Sequence, residues 1–267
     1  MGMNPFAGEG GDALLAYVLV LLLSAARTVG IVAFAPGFSA SGIPPTIRMT
    51  MAIAIGLATG SHLSGGRAVD VTDLGLYMIT ICAELAFGLV IGYGVSLLFE
   101  AVRFAGDVLD IQVGISQATS LDPSSDVQTS VISRSYHFFA IVVFLQLNGH
   151  HWLLAGLARS FEIVPIGAPV FNADIVRLFV ELVGSIFAVG LHIASPVLGA
   201  VFLTDLCFGF IARVVPQMNV FLVGIPAKLL VGLAVLSFSA PLMFYTVAEL
   251  LDGMKEYITM FVQFMSG

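Results

Sequence analysis

From Ile175 to Val215 the chain runs for roughly 41 residues without a polar loop, about twice the ~20 apolar residues that cross a bilayer as a helix. A second run of this kind, Val220 to Leu251, follows almost at once. Charge is too sparse to cover such runs in water: 58% of residues are apolar, 10% are charged and the mean hydropathy is +1.03, against about 25% charged in an average soluble domain. These features exclude a water-soluble enzyme and predict an all-α, polytopic membrane protein. The balance of 10 Lys+Arg against 17 Asp+Glu, net −7, excludes a nucleic-acid binder, which needs a basic patch. Cys82 and Cys207 lie in apolar runs and read as buried free thiols; zinc-type spacing is absent.

Six apolar helical segments are expected between residues 13 and 251, with tails at 1–12 and 252–267. The first covers about Ala13 to Ala35. It carries one charge, Arg27. Its apolar residues favour insertion by about 5 kcal/mol in sum and a central Arg costs about 3, so the span is retained and Arg27 needs a partner or a wet cavity. Met1 to Asp12 holds no base, unlike a secretory leader. Pro44-Pro45 opens a short second segment, Thr46 to Thr59, which suits a slanted or half-inserted helix. Residues 60–73 read as a polar loop. The third segment, Leu74 to Phe99, contains Glu84 and the pair Gly88 and Gly92, a GxxxG spacing. The fourth spans Ile132 to Leu147. His150, His151 and Trp152 then read as an interface anchor, and residues 162–175 as a loop. Pro196 is expected to split Ile175–Val215 into two spans, and Pro226 and Pro241 to break the next stretch. The end from Asp252 reads as a short amphipathic tail. Bases are scattered over the loops, so the positive-inside count leaves orientation open.

One stretch differs. Arg103, Asp107, Asp110, Gly114 and Gln117 form one polar stripe of a helix. The pattern then fails in the run from Gln117 to Asp126, where Pro, Ser and Asp mark a loop. A pore or interfacial element and a helix lying on the bilayer surface both fit.

Charges inside apolar runs are functional candidates by default. Arg177 with Glu181, Glu100 with Arg103, and Arg103 with Asp107 are spaced for pairing on one helix. Arg27, Glu84 and Asp205 lack such neighbours and must be satisfied between helices or by another subunit. HExxH, GxSxG and Walker-type motifs are absent, so no catalytic residue is expected.

Several segments together resemble a known family. They are Leu147-Asn148-Gly149-His150-His151-Trp152-Leu153-Leu154, Pro165-Ile166-Gly167, and above all Pro216-Gln217-Met218-Asn219-Val220-Phe221-Leu222-Val223-Gly224-Ile225-Pro226-Ala227-Lys228. With Arg27, Pro36, Pro44, Arg48 and the run Gly106 to Pro123 upstream, their order is similar to that of the FliR/SctT family of type III export gates, over about residues 13–251.

The resemblance implies a non-enzymatic subunit without cofactor, in the bacterial cytoplasmic membrane at the flagellar basal body. It implies slanted helical hairpins, a FliP-like part near 13–160 and a FliQ-like part near 175–251. These assemble into a helical ring with FliP-like and FliQ-like subunits beside an FlhB-like switch protein, and unfolded flagellar proteins pass through. A plug loop corresponds by position to Ile111, Gln112, Val113, Gly114, Ile115, Ser116 and Gln117. Pro216, Gln217, Asn219, Phe221, Gly224, Pro226 and Lys228 are expected at a helix–turn–helix junction in a subunit contact, with Asn219 as cap and Gly224 allowing close packing. Arg27, Arg48, Glu84 and Asp205 are the expected buried charges. A virulence-type secretion subunit is the alternative. A small-molecule carrier fits less well, because inverted repeats would place matched broken helices in both halves and here both Pro-broken stretches are C-terminal.

Overall fold

A computed structural model describes residues 9–38, 43–63, 74–115, 130–168, 171 and 173–266. These form helices joined by turns: α1 (Glu9–Phe34), α2 (Pro45–Leu63), α3 (Leu74–Val113), α4 (Val131–Gln146), α5 (Gly149–Ile163), α6 (Ala173–Val214), α7 (Val220–Asp252) and α8 (Met254–Phe264). Four helical stretches are long and apolar enough to cross a membrane, beginning at Tyr17, Leu74, Ala173 and Leu222. The pair α4–α5, bent by 67°, adds a fifth if counted as one broken span. The all-α membrane class follows from this.

Boundaries shift where local chemistry allows. Pro45 stands first in α2, where a missing N–H is harmless, and the Pro44 carbonyl accepts from the Ile47 and Arg48 amides. That turn starts the helix one residue before the expected Thr46, and α2 runs on to Leu63. The third segment and the amphipathic stretch after it form one helix, α3, since nothing between Phe99 and Arg103 breaks the backbone.

The expected split at Pro196 does not occur. Pro196 lies inside the 42-residue α6. A proline there cannot donate to the His192 carbonyl, but the Ser195 hydroxyl donates to that oxygen at 2.8 Å. One side chain thus replaces the lost backbone bond, and the helix continues. Pro226 and Pro241 likewise sit within α7 rather than dividing it.

The chain forms two compact units that interleave along the sequence. The first comprises 1–96, 150–180 and 254–267, the second 97–149 and 181–253. In the first unit, α1 and α3 meet through small residues. A Cβ built on Gly88 would lie 2.1 Å from the Arg27 carbonyl oxygen, and one on Gly92 2.5 Å from that of Ile31. The GxxxG pair is therefore used within the chain. Gly56 of α2 presses on Ala25 of α1 in the same way, and the Ser24 hydroxyl donates to the Gly56 carbonyl at 2.8 Å. The presumed C-terminal tail is α8, whose Met254, Ile258, Phe261 and Val262 are buried at the i, i+4, i+7, i+8 spacing of one helix face.

In the second unit, Phe99 of α3 and Phe144 of α4 pack edge to face, with centroids 5.5 Å apart, and Leu109, Val143 and Val247 are buried. The expected burial of the thiols is corrected: Cys82 and Cys207 are both free and exposed. Their helices are apolar on outward faces too, so an apolar setting does not mark the interior.

Candidate functional site

The first unit is organised around a guanidinium. Arg27, on α1, has a side chain that is 0% exposed, as is that of Glu84 on α3. Arg27 Nε donates to Glu84 Oε2 at 2.6 Å and Nη2 to Oε1 at 3.1 Å. Nη1 donates to the Ser160 and Val164 carbonyls at 3.0 and 3.1 Å, oxygens at the end of α5. The Gly167 amide donates to Glu84 Oε1 at 2.7 Å. Phe87 and Phe161 lie 4.3 and 4.4 Å from the guanidinium carbon. Dehydrating each ion costs several kcal/mol. The two-pronged pairing, the carbonyl acceptors and the ring faces offset this. Two of the charges expected to lack local partners therefore satisfy each other, and α1, α3 and α5 are tied at one point.

The second unit holds a comparable device that the sequence reading missed. Asp110, near the end of α3, is buried. Its Oδ1 accepts from the Ile132 amide at 3.1 Å and its Oδ2 from the Ser133 amide at 3.0 Å. These amides belong to the first turn of α4, where backbone donors have no partner within the helix. Ser130, at the cap position, makes no side-chain cap bond. A carboxylate there also suits the helix dipole. The Ser133 hydroxyl returns to the Arg103 carbonyl at 3.1 Å. A Cβ on Gly106 would come 2.3 Å from Ser133 Cα, so the helices touch beside the cap. The only signal in the sequence was the place of Asp110 in the polar stripe.

Asp110→Ala is expected to lower the melting midpoint of the purified chain, by the ~1–2 kcal/mol of a lost cap or more. Asp110→Asn, which keeps one acceptor, should fall between. Circular dichroism melts in detergent check the order; identical melts for all three proteins would remove the cap from the account.

Other expected positions are dispersed. Ile111, Gln112 and Val113 are the last turn of α3, with Ile111 and Gln112 exposed and Val113 buried, and Gly114 follows at φ 91°. Ile115 is half-buried; Ser116 and Gln117 lie outside the described residues. Pro216 and Gln217 form the exposed turn between α6 and α7, and Asn219 caps α7 by accepting from the Leu222 amide at 3.3 Å. The side chain of Phe221 is not described. Nothing lies within 4 Å of a Cβ built on Gly224, so the close packing expected there is not made by this chain. Pro226 is exposed and Lys228 forms an ion pair with Asp205.

Two of the expected buried charges are not buried: Arg48 is half-buried and Asp205 is 43% exposed. Arg177 turns to Asp174 at 3.6 Å instead of Glu181, since the i,i+3 partner is as near as the i,i+4 one, whereas Arg103 meets Glu100 at 3.5 Å as its spacing predicts. Among the described residues no three His, Cys, Asp or Glu side chains gather to hold a metal ion.

Comparison with known proteins decides the family. The family described as bacterial export proteins, family 1, matches residues 18–254. Flagellar biosynthetic protein FliR of Aquifex aeolicus (strain VF5) is 29% identical, over 92% of this chain and 95% of its own. FliR of Bacillus subtilis (strain 168) is 29% identical over 88% and 90%, and FliR of Pectobacterium carotovorum 30% over 81% and 82%. The chain belongs to the FliR family. As a FliR-family protein with several apolar helices, it is a membrane component of the flagellar export apparatus. The matched region takes in the Arg27–Glu84 centre, the Asp110 cap and the α6–α7 turn.

Proposed function

We propose that the chain is a non-enzymatic subunit of the flagellar type III export gate. It sits in the bacterial cytoplasmic membrane and joins FliP-like and FliQ-like subunits, beside an FlhB-like switch protein, in a closed core through which unfolded flagellar proteins pass. In this reading Ile111 to Gln117 contribute to the plug and Pro216 to Lys228 to a subunit contact.

The surface of α7 carries this reading beyond family membership. Only 11% of the apolar stretch beginning at Leu222 is buried by the chain itself, and Phe238 is 84% exposed. Apolar exposure alone suits lipid. The Asp205–Lys228 pair does not, because ions facing hydrocarbon are expensive and this one joins α6 to α7 with both partners still partly open. A protein neighbour that covers the pair resolves the conflict; so does a water-filled core lined by several subunits.

Purification in mild detergent from cells expressing the flagellar genes tests the reading. Two small apolar companions are expected by mass spectrometry; recovery as a lone monomer would overturn it. Gly224→Leu sharpens the test. The open space at this position predicts an unchanged melting midpoint for the isolated chain and lost companions. Retained companions would take this residue out of the contact.

A further inference from the structure

The second unit treats the prolines of α6 and α7 differently. In α6 the residue before Pro196 is Ser195, whose hydroxyl takes over the missing bond to the His192 carbonyl. In α7 the residue before Pro241 is Ala240, which has no side-chain donor for the Ser237 carbonyl that Pro241 leaves. The two serines nearby donate elsewhere: Ser237 Oγ to the Leu233 carbonyl at 2.9 Å and Ser239 Oγ to that of Leu236 at 3.2 Å. Hydroxyls bonded back along a helix in this way favour bending, and proline is the usual place of a sharp kink. The stretch from Leu233 to Pro241 is therefore a weak point of α7.

The two sides of that point are held unequally. Beyond Pro241, Met243, Val247 and Leu251 are buried at i, i+4, i+8, and Phe244 packs edge to face on Phe139 of α4 with centroids 6.4 Å apart. Before it, Leu222, Leu230, Leu233 and Phe238 are exposed. This arm is restrained by the pair of Lys228 with Asp205 of α6 and by Val113 of α3, whose Cγ2 would stand 2.7 Å from a Cβ built on Gly232. We infer that α7 is an arm hinged at Pro241 and latched to α6 by the Asp205–Lys228 pair, and that its swing withdraws Gly232 from Val113. Opening the pair frees the arm, while α6, compensated at Pro196, stays straight. The movement reaches the last turn of α3, because Val113 is 0% exposed with Gly232 in place and the swing bares it. The inference concerns the second unit by itself and does not require the chain to join an export gate.

Spin-label distances in the full chain, held in lipid nanodiscs, test this. Cys82→Ala and Cys207→Ala remove the exposed native thiols. Labels at Phe138→Cys and Leu230→Cys read the arm, and labels at Val131→Cys and Tyr245→Cys read the anchored end; all four positions are exposed. Leu230 lies about three turns, or about 16 Å, from Pro241 along the helix, so a swing of ~20° displaces it by about 6 Å. With Lys228 in place, one narrow arm distance is expected. Lys228→Gln should add a second population displaced by that amount and leave the anchored-end distance as it was. Adding Pro241→Ala should return the arm to one population, because alanine restores the donor to Ser237. An arm distance that Lys228→Gln does not alter would overturn the inference. So would a second population that persists with Pro241→Ala, or one that appears equally at the anchored end. Hydrogen exchange on the unaltered chain needs no variant to fold: amides of residues 229–239 are expected to exchange faster than those of 245–251, and equal protection would count against the hinge.

Discussion

Glu84→Ala is expected to leave little folded chain in the membrane. The substitution strands the Arg27 guanidinium, still 0% exposed, with the Ser160 and Val164 carbonyls but no counter-charge, and frees the Gly167 amide. Breaking a buried pair from one side costs about 3–5 kcal/mol, more than a hundredfold in the folded fraction by the usual conversion of roughly 1.4 kcal/mol per decade. Immunoblots of washed membranes and swimming on soft agar report the loss. Arg27→Met combined with Glu84→Met should recover part of it, because methionine fills the space between Phe87 and Phe161 without a charge. Recovery stays partial, since the Ser160 and Val164 carbonyls and the Gly167 amide remain unanswered. If the double variant is as depleted as the two single effects added together, the pair does not act as one unit.

Gly88→Ala sets two effects of opposite sign against each other. In an exposed helix interior, alanine in place of glycine stabilises by about 1 kcal/mol. At Gly88 the added carbon would stand 2.1 Å from the Arg27 carbonyl oxygen and 3.0 Å from Gly30 Cα. Both are backbone atoms, which cannot swing aside, so α1 and α3 must part. Overpacking of this kind costs about 1–3 kcal/mol, and here it also pulls on the residue that carries the guanidinium. The clash is expected to win and the melting midpoint to fall by several degrees. Gly199→Ala on α6, where nothing stands within 4 Å, is the control and should melt slightly higher. Equal gains at both positions would mean that α1 and α3 do not touch as described.

The helices could be read in the sequence because long apolar runs have few other fates in a membrane. The places where the reading departed have separate physical causes. Proline removes a donor and so marks a divider by default, yet the serine just before Pro196 supplies a replacement, a local compensation spelled out in adjacent residues. The partnership of Arg27 with Glu84 could be read only as two needs: 57 residues separate them, and nothing in spacing says which buried acid meets which buried base. Asp110 looked like a surface stripe residue because its partners are amides of a helix that starts some 20 residues later. Cys82, Cys207 and Asp205 are exposed rather than buried for one common reason. Oil and protein interior select the same neighbours in a sequence, so an apolar setting does not distinguish an outward face from a core.

The dimensions of α7 carry a final consequence. Its 33 residues rise about 1.5 Å each, some 50 Å in all, while the hydrocarbon slab of a bilayer is about 30 Å deep. Tilted at a typical ~20°, the rod still covers some 47 Å along the normal. Hydrophobic side chains therefore emerge beyond the slab, into a region where water would otherwise wet them. In the proposed gate, neighbouring polypeptides would sheathe that overhang, which would make the rod as much a strut of the assembly as an anchor.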